Sequence, residues 1–452
     1  MKKTGKNLLI IGGVAAGTSA AAKAKRINPD LNITLFEQGE FISYGTCSMP
    51  YYVGGVIPDY KKIISFTPEE FQRSKGCIVK TFQRVDEILP QKKKIIVTDV
   101  LKNTSAEYPY DRLLIATGAR ARIPDPAWIR AKNVFSIKHL KDSISLKDYI
   151  LSHRPKTALI IGGGFIGMEM AEAFSKCNLD VTILHRSAKP MNTMESESQD
   201  IILDELRRQK ITFIGNTSVT DIQISNGVAT IATSTNGSFA ADMILLAAGF
   251  EANTDIAKSA RIRCGVSGAI RVDSHMRTNL ENIFAAGACT EIRNTISHKP
   301  MYLPLANIAN RMGRVAGENI AGAQAEFPGA MRTTAVKIFD LEAASVGLRS
   351  AEAEAIGFRV LTESVMAYSR SRSYPGAKPV FIKFIIDKSS KRLIGADLIA
   401  EEGAAMRANI LSVAIQNKMT VSDIANMDLL YSPPFSPVWD PILIAANRVL
   451  KR

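Results

Sequence analysis

Short runs of apolar, β-branched residues recur along the chain, and most of them stop at glycine. Leu8 to Ile11 ends at Gly12-Gly13, Thr18 to Arg26 is helical in composition, and Asn32 to Phe36 is again apolar. Strand, glycine turn, helix and strand predict a βαβ unit. The same order returns at Ala158 to Ile161, the glycines from Gly162, and Val181 to Leu184. Two copies of one unit predict two dinucleotide-binding domains. Three further runs end in the same way. Leu113 to Ala116 stops at Thr117-Gly118, Met243 to Ala247 at Ala248-Gly249, and Asn282 to Ala285 at Ala286-Gly287. Each is a place where the backbone turns tightly or approaches something closely. From about Thr333 the texture changes. Two β-rich stretches, Val336 to Phe339 and Val380 to Ile386, precede a helical pattern from Glu402 to Asn417 and a proline-rich tail from Tyr431 to Pro441. This predicts a third, α+β domain.

Composition narrows the class. The 452 residues are 46% hydrophobic and 22% charged, which excludes a mostly disordered, collagen-like or disulfide-scaffold chain. The net charge of +14 fits nucleic acid, an anionic membrane surface or small polyanionic ligands. No run of five basic residues and no zinc-finger spacing favours nucleic acid, and no stretch of ~18 apolar residues favours a membrane span. Lys2, Lys3 and Lys6 ahead of Leu8 to Ala22 imitate a signal peptide, but Gly12, Gly13 and Gly17 interrupt the run. The cysteines, Cys47, Cys77, Cys177, Cys264 and Cys289, are odd in number and include no CxxC pair, which points to a reducing, cytoplasmic setting.

The glycine loops carry the first chemistry. Gly12 to Gly17 reads GGVAAG, with Val14 where a second glycine is usual and Ala15 after it. Gly12 permits the tight turn, Gly17 close helix packing, and the helix N-terminus offers N–H groups to a pyrophosphate. Glu37, 25 residues after Gly12, is placed to accept ribose hydroxyls. A glycine-rich packing turn would read similarly. Gly162 to Gly167 holds the full GxGxxG at Gly162, Gly164 and Gly167, with Phe165 and Ile166 inside it. Its second strand ends in Leu184-His185-Arg186-Ser187, without a carboxylate. A carboxylate there suits NAD, whereas Arg186, helped by His185, suits the 2′-phosphate of NADP, so NADPH is expected over NADH. Solvated surface residues are the bland alternative. Cys47 sits in a Gly- and Ser-rich loop that starts at Ser43, where backbone N–H groups favour a thiolate.

Taken together, these residues resemble the pyridine nucleotide–disulfide oxidoreductase superfamily, and within it the single-cysteine group of coenzyme A-disulfide reductases, NADH oxidases and NADH peroxidases. The resemblance spans nearly the whole chain. It rests on Gly12 to Gly17, Cys47-Ser48-Met49-Pro50-Tyr51-Tyr52, Ala116-Thr117-Gly118-Ala119, Gly162 to Glu169, His185-Arg186-Ser187, Ser373-Tyr374-Pro375-Gly376 and Tyr431-Ser432-Pro433-Pro434. It implies an α/β fold of two Rossmann-like domains plus a C-terminal α+β dimerisation domain. The implied boundaries are 1–121 with 251–328 for FAD, 122–250 for NAD(P)H, and 329–452 for dimerisation. FAD would contact Ser43, Thr117, Gly118, Gly249, Gly287 and Ala288 besides the first loop and Glu37, and Glu169 would join the nicotinamide site. Cys47 would be the redox residue. Tyr374 and Tyr431 would reach the active site of the partner in a homodimer. Arg26, Lys75 and Arg311 fall where relatives hold coenzyme A, with a surface cation as the alternative for each.

Departures sharpen the expectation. No second cysteine lies near Cys47 and the last histidine is His298, so an intramolecular redox disulfide is not expected. Ala15 stands where peroxidases of the group place a histidine, which counts against peroxide reduction. Ser48 replaces the glycine usual after the cysteine. Ala288 replaces an aspartate that bonds the flavin ribitol, a loss of about 1.5–3 kcal/mol offset by the other contacts. The expected activity is NADPH-dependent reduction of coenzyme A disulfide or a related small disulfide. A polysulfide or coenzyme A persulfide reductase, an NAD(P)H oxidase, and a non-catalytic nucleotide-binding protein are the alternatives. No metal and no fused rhodanese domain are expected, since the chain ends at Arg452.

Overall fold

The computed structural model describes residues 6–451. Lys2 and Lys3 of the signal-like segment lie outside the described residues. The rest of that segment divides into a strand, Asn7–Ile11, and a helix, Ala15–Ile27.

The first sheet has five parallel strands in the order Ile283–Ala285, Arg112–Ile115, Asn7–Ile11, Asn32–Phe36 and Ile78–Lys80. The second repeats this arrangement with Val134–Phe135, Met243–Leu246, Thr157–Ile161, Asp180–Leu184 and Thr212–Ile214. Parallel strands are covered on both faces, so their side chains are apolar in continuous runs rather than alternating. Leu8, Ile10, Leu113, Leu114 and Ile115 are fully buried accordingly. The equivalent helices, Ala15–Ile27 and Phe165–Lys176, are the crossovers that parallel pairing requires. Each unit also carries a three-stranded antiparallel meander, at Gln83–Leu89, Lys94–Asp99 and Thr104–Pro109, and at Val219–Ser225, Val228–Ser234 and Gly237–Ala240. The chain passes between the units through an antiparallel ribbon of Ala119–Ala121 and Phe250–Ala252.

The third sheet is antiparallel, ordered Thr333–Ile338, Leu341–Gly347, Leu393–Ala400, Pro379–Asp387 and Val360–Tyr368. Its central strands are buried on both faces, and their two-residue period assigns each face a different core. Val380, Ile382, Phe384 and Leu398 pack with the helices Ala404–Gln416 and Pro441–Leu450. Phe381 and Ile399 pack toward the second unit. Lys383 shares that second face and meets Glu195 at 3.0 Å and Glu197 at 2.7 Å. Among the described residues no helix is long and apolar enough to cross a membrane.

Candidate active site

The two glycine loops are built alike to the ångström. A Cβ on Gly12 would lie 2.2 Å from the Ala116 carbonyl oxygen, and one on Gly162 would lie 2.2 Å from that of Ala247. Both glycines also have positive φ, 106° and 121°. Gly17 and Gly167 pack so closely on these turns that a Cβ would meet the Gly12 or Gly162 oxygen at 1.9 or 2.0 Å. No residue but glycine satisfies these four positions.

The second residue of each loop, Gly13 or Gly163, donates its N–H to the residue directly after the next strand. Gly13 N donates to Glu37 Oε2 at 2.8 Å, and Glu37 Oε1 accepts from Gly39 N at 2.9 Å. In the second unit Gly163 N donates to His185 Nδ1 at 3.0 Å. An imidazole has thus taken the acceptor role of a carboxylate. Its Nε2 faces Asn192 Oδ1 at 3.3 Å, which assigns the proton to Nε2. Burial holds the His185 pKa below its usual value, helped by Arg186 and opposed by Asn192. The expectation that His185 assists Arg186 is therefore corrected: the ring is buried and committed to the loop, and Arg186 alone is exposed toward solvent.

A cleft of about 320 Å³ starts at Glu37 and the loop Gly12 to Ala16, passes Thr117 and Gly118, and reaches Thr46, Lys138 and Ala288. Much of its lining is small: Gly12, Val14, Ala15, Ala116, Ala119 and Ala309 leave a trough that larger side chains would fill. The N-terminus of the helix Ala15–Ile27 opens onto it, so free N–H groups and the helix dipole face an anion. An elongated, polyanionic dinucleotide fits this trough. Thr117 is held by its Oγ1, which donates to the Asn253 carbonyl at 2.6 Å. Ser43 adopts positive φ, 48°, and its N–H donates to the Gly13 carbonyl at 2.9 Å, tying the cysteine loop to the glycine loop. The Ala288 carbonyl accepts from Tyr302 OH at 3.0 Å, and the methyl group leaves the trough without a carboxylate there. Gly287 lies buried beneath it, and Gly249 is exposed at the ribbon between the units.

Cys47 is exposed on the short 3-10 turn Thr46–Ser48, directly before the helix Met49–Val53. The other four thiols are also free. Burial pushes Cys77 up to about 11 and also raises Cys177, Cys264 and Cys289, so these stay protonated. The helix Met49–Val53 packs on Phe165–Lys176, with Gly54 against Ala173, and so brings Tyr51 beside Glu169. Burial, with the Glu172 charge, lifts Glu169 to about 7, and burial, with Glu169, lifts Tyr51 to about 12. Phe165 and Ile166 pack into the same core.

The remaining candidates are dispersed. Arg26 is exposed in the last turn of Ala15–Ile27. Lys75 lies over the Phe66 ring at 4.9 Å, and Arg311 over Phe327 at 5.2 Å. Arg311 lines a separate cleft of about 620 Å³ against the third sheet, so one chain does not gather the three cations around the trough. Tyr374 and Tyr431 are exposed, on loops joined where Ser371 N donates to the Pro433 carbonyl at 3.2 Å. Leu430, Phe435, Val438 and Trp439 are exposed beside them, an apolar surface of the kind that a second copy covers. Nothing in the sequence pointed to Lys138, which lines the trough.

Residues 6–313 match the family model for pyridine nucleotide-disulphide oxidoreductases, and residues 333–441 match that family's dimerisation domain. The NAD(P)H sulfur oxidoreductase (CoA-dependent) of Pyrococcus abyssi is 34% identical over 450 residues, 99% of both sequences. The coenzyme A disulfide reductase of Staphylococcus epidermidis is 30% identical over 431 residues, 95% of this chain and 96% of that one. The crystal structure of reduced Bacillus anthracis CoADR-RHD superposes with a TM-score of 0.95 at 29% identity, covering 99% of this chain and 80% of that one.

Proposed function

The chain belongs to the pyridine nucleotide-disulphide oxidoreductases, flavin-dependent NAD(P)H enzymes, and we propose that it reduces coenzyme A disulfide or a related small disulfide through Cys47. The observation that carries this is the exposed Cys47, next in sequence to the cleft-lining Thr46, with every other thiol raised by burial. A disulfide formed at Cys47 is then made with a small thiol rather than within the chain.

FAD would be held in the trough by Gly12, Val14, Ala15, Gly17, Glu37, Ser43, Thr117, Gly118, Gly249, Gly287 and Ala288, and would supply a two-electron relay from the nicotinamide to sulfur. Gly162, Gly164, Phe165, Ile166, Gly167 and Glu169 hold the nicotinamide nucleotide, and Arg186 takes the 2′-phosphate of NADPH. The Cys47 thiolate attacks a disulfide RSSR, forms a mixed disulfide and releases one thiolate. Two electrons from NAD(P)H then cleave the mixed disulfide and free the second. Each turnover consumes NAD(P)H, one proton and RSSR, and yields two thiols. Domains are read as 1–121 with 251–328, 122–250 and 329–452, and five free thiols suit a cytoplasmic, reducing setting.

In the homodimer, Tyr374 and Tyr431 are read as reaching the partner's active site, where a phenol stabilises the leaving thiolate. Arg26, Lys75 and Arg311 are read as coenzyme A contacts. Tyr431→Phe is expected to lower kcat by about 10–100-fold with the dimer intact, checked by steady-state kinetics beside sedimentation. Arg186→Ala is expected to lower kcat/KM for NADPH about 10–100-fold and leave that for NADH nearly unchanged, since only the 2′-phosphate contact is lost.

The 34% identity to a CoA-dependent sulfur oxidoreductase supports a second reading, reduction of a persulfide or polysulfide at the same cysteine. Steady-state rates with coenzyme A disulfide, coenzyme A persulfide, polysulfide and oxygen separate the two. The first reading expects the highest kcat/KM with coenzyme A disulfide and is overturned by a rate no higher than that with oxygen.

A further inference from the structure

His185 directly follows the strand Asp180–Leu184 and is only 9% exposed. Its backbone is fixed on both sides. Its N–H donates to the Ile214 carbonyl at 2.9 Å, and its carbonyl accepts from Thr217 N at 2.8 Å. The ring is held from three directions. Nδ1 accepts from Gly163 N at 3.0 Å, Nε2 meets Asn192 Oδ1 at 3.3 Å, and the Phe213 ring centroid lies 6.1 Å away. Asn192 is oriented in turn, since its Nδ2 donates to Ser187 Oγ at 2.9 Å. Gly163 is gripped at both ends, because its carbonyl accepts from Met191 N at 2.8 Å. A Cβ on Gly163 would meet His185 Cγ at 3.1 Å, so ring and loop are in direct contact.

We propose that His185 is a positioning residue for the nicotinamide nucleotide: its neutral ring holds the loop Gly162 to Gly167 in its binding shape, and protonation of Nδ1 releases that loop. The proposal rests on this loop holding the nucleotide. An imidazolium carries N–H on both nitrogens, so it has no acceptor for Gly163 N. In the first loop the same bond goes to Glu37 Oε2 at 2.8 Å, and a carboxyl group retains an acceptor in both protonation states. Of the two loops, the second therefore carries the proton-dependent bond. The charged group acting on the ring is Arg186. Lys189, on the same turn, is engaged by Asp200 at 2.6 Å, and Ser187, Asn192 and Phe213 are uncharged. Burial holds the ring's pKa below its usual value, with Asn192 opposing and Arg186 assisting, so the ring is neutral at pH 7 and gains its proton as the pH falls.

The test is the apparent Kd for NADH, read from the concentration dependence of flavin reduction by stopped flow on the flavin-loaded protein from pH 5 to 8. NADH is used because the 2′-phosphate of NADPH itself titrates near pH ~6; with NADPH the change is read relative to His185→Gln. In the wild type the Kd is expected to rise as the pH falls, approaching about tenfold per unit once the ring is charged, while the limiting rate moves less than about twofold. His185→Phe keeps a ring without the acceptor. It is expected to bind NADH about tenfold more weakly at pH 8, with no pH dependence over this range. His185→Gln supplies an uncharged acceptor with the reach that Glu37 shows in the first loop. It is expected to bind NADH within about twofold of the wild type at pH 8 and to lose the pH dependence. A wild-type Kd that is flat from pH 5 to 8, wild-type binding by His185→Phe at pH 8, or full pH dependence in His185→Gln overturns the proposal. Where His185→Phe does not fold, the wild-type and His185→Gln profiles decide alone. A wild-type flavin that neither nucleotide reduces overturns the nicotinamide role of the loop, and the proposal with it.

Discussion

Cys47→Ser is expected to lower NADPH-dependent turnover of coenzyme A disulfide by at least about 10³-fold, because a serine hydroxyl forms no mixed disulfide. NADPH should still bleach the flavin absorbance at close to the wild-type rate. The second half of that statement is the more demanding one. Cys47 lies on a separate turn after the first glycine loop, outside the second glycine loop. Stopped-flow flavin reduction and a steady-state disulfide assay on the same preparation separate the two halves. Disulfide turnover that survives in Cys47→Ser removes the cysteine from the mechanism. The other four cysteines are poor substitutes, since burial raises the pKa of each.

The paired glycines give the second large effect. Alanine at Gly12 or Gly162 places a methyl group 2.2 Å from a backbone oxygen, in a left-handed conformation. The positive φ alone costs ~1–2 kcal/mol, and the contact requires the strand end to shift as well. Because the loops belong to different sheets, the two variants should fail differently. Gly12→Ala is expected to purify with little or no flavin. Gly162→Ala is expected to retain its flavin spectrum while NADPH reduces it at least about 100-fold more slowly. Absorbance spectra of the purified variants, followed by an NADPH titration, check this. Flavin loss in Gly162→Ala and retention in Gly12→Ala would reverse the assignment of the two sites.

The glycine loops and the cysteine were legible because their constraints are local. A turn that requires positive φ, and a helix that touches the preceding strand, restrict the residue at that position whatever the rest of the fold does. The β-rich run Val380 to Ile386 likewise predicted a strand, which spans Pro379–Asp387. It did not reveal that both faces are buried, one against helices and one against the second unit, because period two records which residues share a face and not what covers each face.

His185 and Arg186 show the limit within a single motif. Their types suggested two groups for one phosphate. Burial separated them, giving the ring nitrogen to Gly163 N–H and leaving the guanidinium exposed. Lys138 lies further beyond the reach of pattern. A lysine before a helix reads as solvated surface, and only the tertiary fold brings it into the lining of the trough.

The sequence by itself determined the three-domain plan, the two glycine loops, the candidate redox cysteine and the family, because each follows from backbone sterics or residue chemistry over a few positions. Tertiary structure alone decided which charges are desolvated and which groups face one another. It paired Tyr51 with Glu169 and Gly163 with His185, contacts that span up to 118 residues of chain. The reason is physical. Desolvation and Coulomb interaction depend on distance and on excluded water, and neither quantity exists until the elements have packed.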